Sequence, residues 1–343
     1  MLDRPALTLG LGFAMLTTSL VVVSCASHPP SSSRAVPSAS IAAPDASLVP
    51  PEASASASAS AAVSAEPVAI APPAACPAGM ILIDGDYCTD LQLTCKKSHY
   101  AAANKKTVCE EFAEESTCTG EKEHRRYCID TYEYPNQKGA NPEVMNDFHG
   151  AQKKCAALGK RVCTESEWTM ACEGPSYKPY PYGYVRDPNK CRGDRPYRTP
   201  KKQKSGILLT HSKDKDAANA EIQRLWDAVP SGSQPDCVSD YGVFDMPGNA
   251  DELAASEGKT KQYGSMKVKG GIDTLNGQDL YDNVTTGGPW VEGVRNQCRP
   301  KIYTHDEQFS YYYLSFRCCA EADGKPTDPR SPRQIRRGQK SIE

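Results

Sequence analysis

The chain is poor in net charge and in bulky aromatic residues. Over 343 residues, 40 Lys and Arg stand against 42 Asp and Glu, a formal charge of −2. Bulk electrostatic attraction to nucleic acid is therefore missing, and no nucleic-acid partner is expected. Six phenylalanines, three tryptophans and 39% hydrophobic residues are thin for a single large core. What the chain has instead is 27 prolines and 15 cysteines. That composition points to a loop-rich domain held by cross-links, and so many thiols fit an oxidising compartment better than a reducing cytosol.

The beginning of the chain agrees with export. Arg4 precedes an apolar run from Ala6 to Val23, the layout of a signal peptide over 1–25. Val22-Val23-Ser24-Cys25 resembles the lipobox of bacterial lipoproteins, in which the cysteine is acylated. On that reading Cys25 anchors the protein in a lipid bilayer; cleavage nearby without lipid is the alternative. Removing Cys25 leaves 14 cysteines, an even number. From 26 to 75, 38 of 50 residues are Ala, Ser or Pro, too little bulky apolar surface to offset ordering entropy. This segment is expected to be a disordered tether with a reach of about 40 Å. The expected location is the cell envelope. Ala26 is not the Asp that favours inner-membrane retention, so the outer membrane is preferred.

The globular part is placed at 76–320, followed by a polar, charged tail at 321–343 that is expected to be a disordered terminus. Asn146 is positioned to cap a helix carrying Phe148, Ala151, Cys155 and Leu158 inward, with Gly159 as its stop. Thr164 and Glu167 have capping-box spacing, so a second helix starts at Glu165 and buries Trp168 and Cys172. Asp214 to Val229, with Ala217, Ile222, Leu225 and Trp226 on one side, reads as a docked helix.

Several segments then agree in order with one family. Ala156-Ala157-Leu158-Gly159-Lys160-Arg161-Val162-Cys163-Thr164-Glu165-Ser166-Glu167-Trp168 resembles the "GKRLPTEAEWEYA" signature of the formylglycine-generating enzymes, or sulfatase-modifying factors. Cys128 to Asn136 is similar to "IDKYEVTN", Tyr180 to Gly183 to "FPWG", and Tyr241 to Asn249 to "FGLYDMxGN". Lys269-Gly270-Gly271 is matched to "RGGS" and Ser315-Phe316-Arg317-Cys318 to "GFRC", while about 199–229 is an insertion between motifs. The resemblance implies an α+β, C-type-lectin-like fold with little regular secondary structure and many disulfides. It further implies the bonds Cys155–Cys318 and Cys172–Cys298, and suggests Cys163–Cys319 and Cys191–Cys237. For Cys76, Cys88, Cys95, Cys109, Cys118 and Cys128 all fifteen pairings stay open.

The family's chemistry is where the sequence departs. Its catalytic members bind copper through two thiolates a few residues beyond "GGS", and a cuprous ion prefers such soft ligands. Here Ile272, Asp273, Thr274 and Leu275 follow the glycines, and no cysteine comes before Cys298. No copper is expected. A nonheme-iron branch uses an HxxxH-type motif, which the six histidines do not form, so no iron is expected either. The family's calcium motif keeps Asn249 and Glu252, which calcium would take as hard oxygen ligands; a turn residue and a solvated carboxylate are the other reading. Arg295, Asn296, Arg299, Tyr303, His305 and Tyr311 cluster near the family's substrate groove, and Arg317 reads as a buried structural arginine. Two functions remain open. One is a non-catalytic, membrane-anchored binding module for an unidentified peptide or glycan. The other is a copper or nonheme-iron oxidoreductase.

Overall fold

The computed structural model describes residues 75–102, 105–204, 206–258, 266–269, 281–291 and 293–341. The signal peptide, Cys25, the tether up to Ala74 and the pair Gly270–Gly271 lie outside the described residues. Five strands open the fold: β1 (Met80–Cys88), β2 (Leu91–Ala101), β3 (Lys106–Phe112), β4 (Thr117–Cys118) and β5 (Lys122–Asp130). Helix α1 (Phe148–Ala156), strand β6 (Arg161–Val162) and helix α2 (Glu165–Glu173) follow. The insertion carries β7 (Lys202–Gln203), β8 (Gly206–Ile207), α3 (Leu208–His211) and α4 (Lys215–Leu225). Then come β9 (Asp251–Ala255), β10 (Met266–Lys269), β11 (Asn283–Thr286), β12 (Lys301–Ile302), β13 (Leu314–Phe316), β14 (Cys318–Glu321) and α5 (Pro332–Arg336).

Three four-stranded sheets result, ordered β1-β5-β14-β6, β10-β2-β3 with β4 beside β2, and β12-β11-β9-β13, and β7 and β8 form a separate two-stranded sheet. Helix α2 is buried along its whole length between them, with Trp168 fully covered. Its start matches the sequence pattern. The Thr164 hydroxyl accepts from the Glu167 amide, and the Glu167 carboxylate accepts from the Thr164 amide. Helix α1 differs by one residue. Asp147, not Asn146, caps it by accepting from the Gly150 amide at 2.7 Å. Asn146 instead accepts from the Lys154 ammonium at 2.7 Å. Because α1 ends at Ala156, Leu158 falls past the apolar face and is 55% exposed.

All fourteen cysteines from 76 to 319 are paired. The four bonds implied by the resemblance are present, and the amino-terminal group pairs as Cys76–Cys128, Cys88–Cys118 and Cys95–Cys109. Neighbouring side chains on a strand point to opposite faces. Cys318 on β14 can thus reach Cys155 on α1 while Cys319 reaches Cys163 beyond β6.

Two expectations change here. Helix α4 stops at Leu225 and buries Ala218, Glu221 and Leu225, so Trp226 is its C-cap and Ala217 is only half-buried. The described tail, 321–341, is docked rather than free. Ser331 and Gln334 are buried, the Gln152 amide donates to Gln334 Oε1 at 2.8 Å, and Arg333 and Arg337 both donate to Asp282.

Candidate functional site

Strand β11 runs antiparallel to β9, the strand that follows the Gly248-Asn249 turn, and delivers Gly287-Gly288 beside that turn. The Gly248 amide donates to the Gly287 carbonyl at 3.0 Å, and the Trp290 amide to the Asn249 carbonyl at 2.9 Å. By contrast, β10 runs parallel to β2 in another sheet. The glycine pair that the described residues place beside the Asn249 turn is Gly287-Gly288, while the expected pair Gly270-Gly271 lies outside them. Glycine is required at Gly287, where φ is +87° and a Cβ would lie 2.5 Å from the Met246 carbonyl oxygen. Residues 289–297 contain no cysteine. Cys298 bonds Cys172, so no thiolate pair stands beyond these glycines and the side chains there do not fit a cuprous ion.

The same segment walls a cavity of about 330 Å³. Gly288, Pro289, Val291, Gly293, Val294 and Arg295 come from the loop, Tyr197 from the stretch before the insertion, and Tyr313 from just before β13. Arg295 is gripped by Asp251 through both guanidinium arms, at 2.6 and 3.2 Å, and Asp251 also accepts from the Gly288 amide. Asn296 ties the loop from behind, donating to the carbonyls of Gly287, Gly288 and Pro289 at 3.0–3.2 Å. Trp290, fully buried, packs on Trp226, Tyr312 and Tyr313, so the insertion braces the cavity wall. Burial pushes the phenols of Tyr311 and Tyr313 upward, and the neighbouring Tyr197 phenol adds to the shift at Tyr311. Both phenols stay neutral at physiological pH.

The six expected groove residues divide. Arg295 is in the cavity wall, Asn296 supports it, and Tyr311 packs on Tyr313 at 4.7 Å. His305 is stacked on Phe309 at 3.7 Å, with its pKa lowered by burial. Arg299 and Tyr303 do not belong to a groove. Arg299 is buried, ion-paired with Glu173 on α2 and donating to the Cys88 carbonyl, while the Tyr303 hydroxyl donates to Glu165 at 2.8 Å. Tyr197, Gly288, Pro289, Val291, Gly293 and Val294 are additional, and the second glycine pair is the sequence signal that marks them.

Asn249 and Glu252 lie in a buried polar cluster instead of a cation site. The Asn249 amide donates to Glu133 at 2.9 Å and its oxygen accepts from the Val229 amide. Both Glu252 oxygens are taken by Arg317, at 2.6 and 2.7 Å, and one also by the Trp168 indole. A calcium would have to displace a fully buried guanidinium, so these residues do not fit one. Among the described residues no group of three or more His, Cys, Asp or Glu side chains is arranged to hold a metal. The cluster contains two further buried acids. Burial raises Glu133 well above the usual carboxylate range, aided by Asp245 and Glu252, and burial raises Asp245 to about 6.

The family model described as the sulfatase-modifying factor enzyme 1-like domain matches residues 89–322, and the chain belongs to that family. Its fold is the family's mixed α/β fold, disulfide-rich and with few helices. Similar solved structures include PvdO from Pseudomonas aeruginosa, 15% identical, covering 71% of this chain and 94% of that one with a TM-score of 0.39. CarF is 13% identical, covers 72% and 99%, and has a TM-score of 0.41. Variable protein 1 of Treponema denticola is 12% identical, covers 66% and 98%, and has a TM-score of 0.38. No curated protein matches the chain.

Proposed function

We propose that this chain is a non-catalytic member of its family, a binding module exported to the cell envelope, anchored through acylated Cys25 and binding its ligand in the cavity beyond Gly287-Gly288. One observation carries the reading. No cysteine stands between Gly270-Gly271 and Cys298, where the resemblance would put two copper thiolates, and every cysteine from 76 to 319 is in a disulfide. The cavity is at the lower end of the size range of small-ligand sites and mixes apolar walls with a few placed polar groups. No helix among the described residues is long and apolar enough to cross a membrane.

The test is a thiol and metal count on the exported protein, together with incubation with a Cys-x-Pro-x-Arg peptide. The expected result is no free thiol, a thioether-linked lipid on Cys25 and an unmodified peptide. Two free thiols with bound copper, or conversion of the peptide, would make the protein an oxidase and overturn the reading.

A further inference from the structure

Resting on the reading of a chain anchored through Cys25, we infer that the insertion carries a membrane-docking face, in which Lys202, Lys204 and Lys213 meet the anionic headgroups of the bilayer that holds the chain. From 195 to 229 eight Lys and Arg stand against four Asp and Glu, in a chain whose formal charge is −2. Between Asp194 and Asp214 there are six basic residues and no acid.

The arginines and the lysines of this stretch act differently. Arg198 donates to the carbonyls of Arg224 and Trp226, and Arg224 donates to the Thr199 carbonyl and to both oxygens of Glu221. Arg192, just before, is paired with Asp227. These bonds fasten the incoming chain to α4 and its cap. The lysines make no such bonds. Lys201, Lys202 and Lys204 are exposed in and beside the β7–β8 hairpin, and Lys213 is exposed in the bend between α3 and α4. Lys202, Lys204 and Lys213 have no ion-pair partner among the described residues. Lys201, 64% exposed, lies 3.8 Å from Glu221, whose oxygens Arg224 already holds. The apolar side chains of the insertion, Ile207, Leu209, Ile222, Leu225 and Trp226, pack around Trp290. Folding thus accounts for the underside of the insertion and for its arginines, and leaves the lysines over.

The kind of cation and its setting choose the occupant. Lysine is a hydrated point charge on a flexible stem, which suits a mobile layer of headgroups, whereas the cores of protein interfaces are depleted in it. The expected tether keeps the domain within about 40 Å of the lipid, so the headgroups are met at high effective concentration. Each lysine at an anionic surface raises the docked fraction about fivefold, and the attraction fades beyond the screening length.

The test reconstitutes the exported full chain with phosphatidylcholine vesicles, with or without one-third phosphatidylglycerol. It reads energy transfer to a dansyl lipid from Trp226 and Trp290, which sit 5.4 Å apart in the cluster beneath the insertion. Transfer is expected to be higher on the anionic vesicles and to vanish in 1 M salt, where the screening length is about 3 Å. The triple variant Lys202→Gln, Lys204→Gln, Lys213→Gln is expected to fall to the neutral-vesicle level with thermal unfolding unchanged. Loss of three charges at Lys97, Lys105 and Lys122, exposed elsewhere, is expected to leave transfer intact. Equal transfer on both vesicles, an unaffected patch variant, or an equal loss in the control variant would each overturn the inference. So would stripping of the domain by soluble polygalacturonate at equal charge, the mark of an acidic-glycan site. The anchored reading fails separately, if the chain does not float with neutral vesicles in 1 M salt. Docking is then read from flotation on the anionic vesicles alone, and its absence there overturns the inference as well.

Discussion

Arg317 and Glu252 have no exposed side-chain surface, and they face each other beside two other buried acids, Glu133 and Asp245. The guanidinium takes both oxygens of Glu252, and the other two acids feel its charge without bonding to it. Removing it strands the Glu252 charge, so Arg317→Met is expected to cost about 3–5 kcal/mol, read as a drop in the urea midpoint. A loss below about 1 kcal/mol, the size of a surface pair, would contradict this account. Asp245 gives a pH prediction. Its folded pKa, about 6, lies above the unfolded value of about 3.9. The proton is held more tightly in the folded state, so this group's contribution is full below about pH 4 and fades as pH rises through about 6. Asp245→Asn is therefore expected to be close to neutral at pH 4 and stabilising at pH 7. Equal effects at both pH values would refute the assignment. At this scale the sequence is only partly legible. Arg317 is recognisable as structural from its motif, but Arg299 resembles any groove arginine until Glu173, 126 positions away, is seen against it.

Elements whose signals are local are the ones the sequence reveals. Thr164 and Glu167 sit three residues apart, so the capping box of α2 is written in the chain and present in the fold. Thr164→Ala is expected to cost about 1 kcal/mol, measured by chemical denaturation. The two-residue strands β6 and β12 have no local signature, because each exists only through its partner, β14 and β11 respectively. The tail is a similar case. A sequence rich in arginine reads as solvated, yet α5 has a full capping box at Ser331 and Gln334, and Gln334 meets Gln152 of α1 in a buried amide pair. Deleting residues 328–343 would leave the Gln152 amide without that partner and Asp282 without two arginines. The truncated chain is expected to unfold at lower urea and to expose α1 to protease; unchanged protection would mean the docking contributes nothing.

Across the whole molecule, cross-links replace part of the core that the composition does not supply. Cys155–Cys318, Cys163–Cys319 and Cys172–Cys298 close loops of 163, 156 and 126 residues. In the chain-entropy account each such loop restricts the unfolded state by about 5 kcal/mol. Reduction is therefore expected to unfold the domain in buffer, seen as loss of near-ultraviolet circular dichroism, and a reduced but native domain would show that packing alone suffices. By itself the sequence determined the family, the cross-linked α+β class, the start of α2 and the absence of a thiolate pair, because these depend on residue identity and short spacing. The tertiary structure alone decided which glycine pair lies beside Asn249, which arginines are buried, and that Tyr197, Pro289, Val291, Val294, Arg295 and Tyr313 line one cavity. Those facts depend on strand pairing and charge partners far apart in the chain, where spacing carries no information.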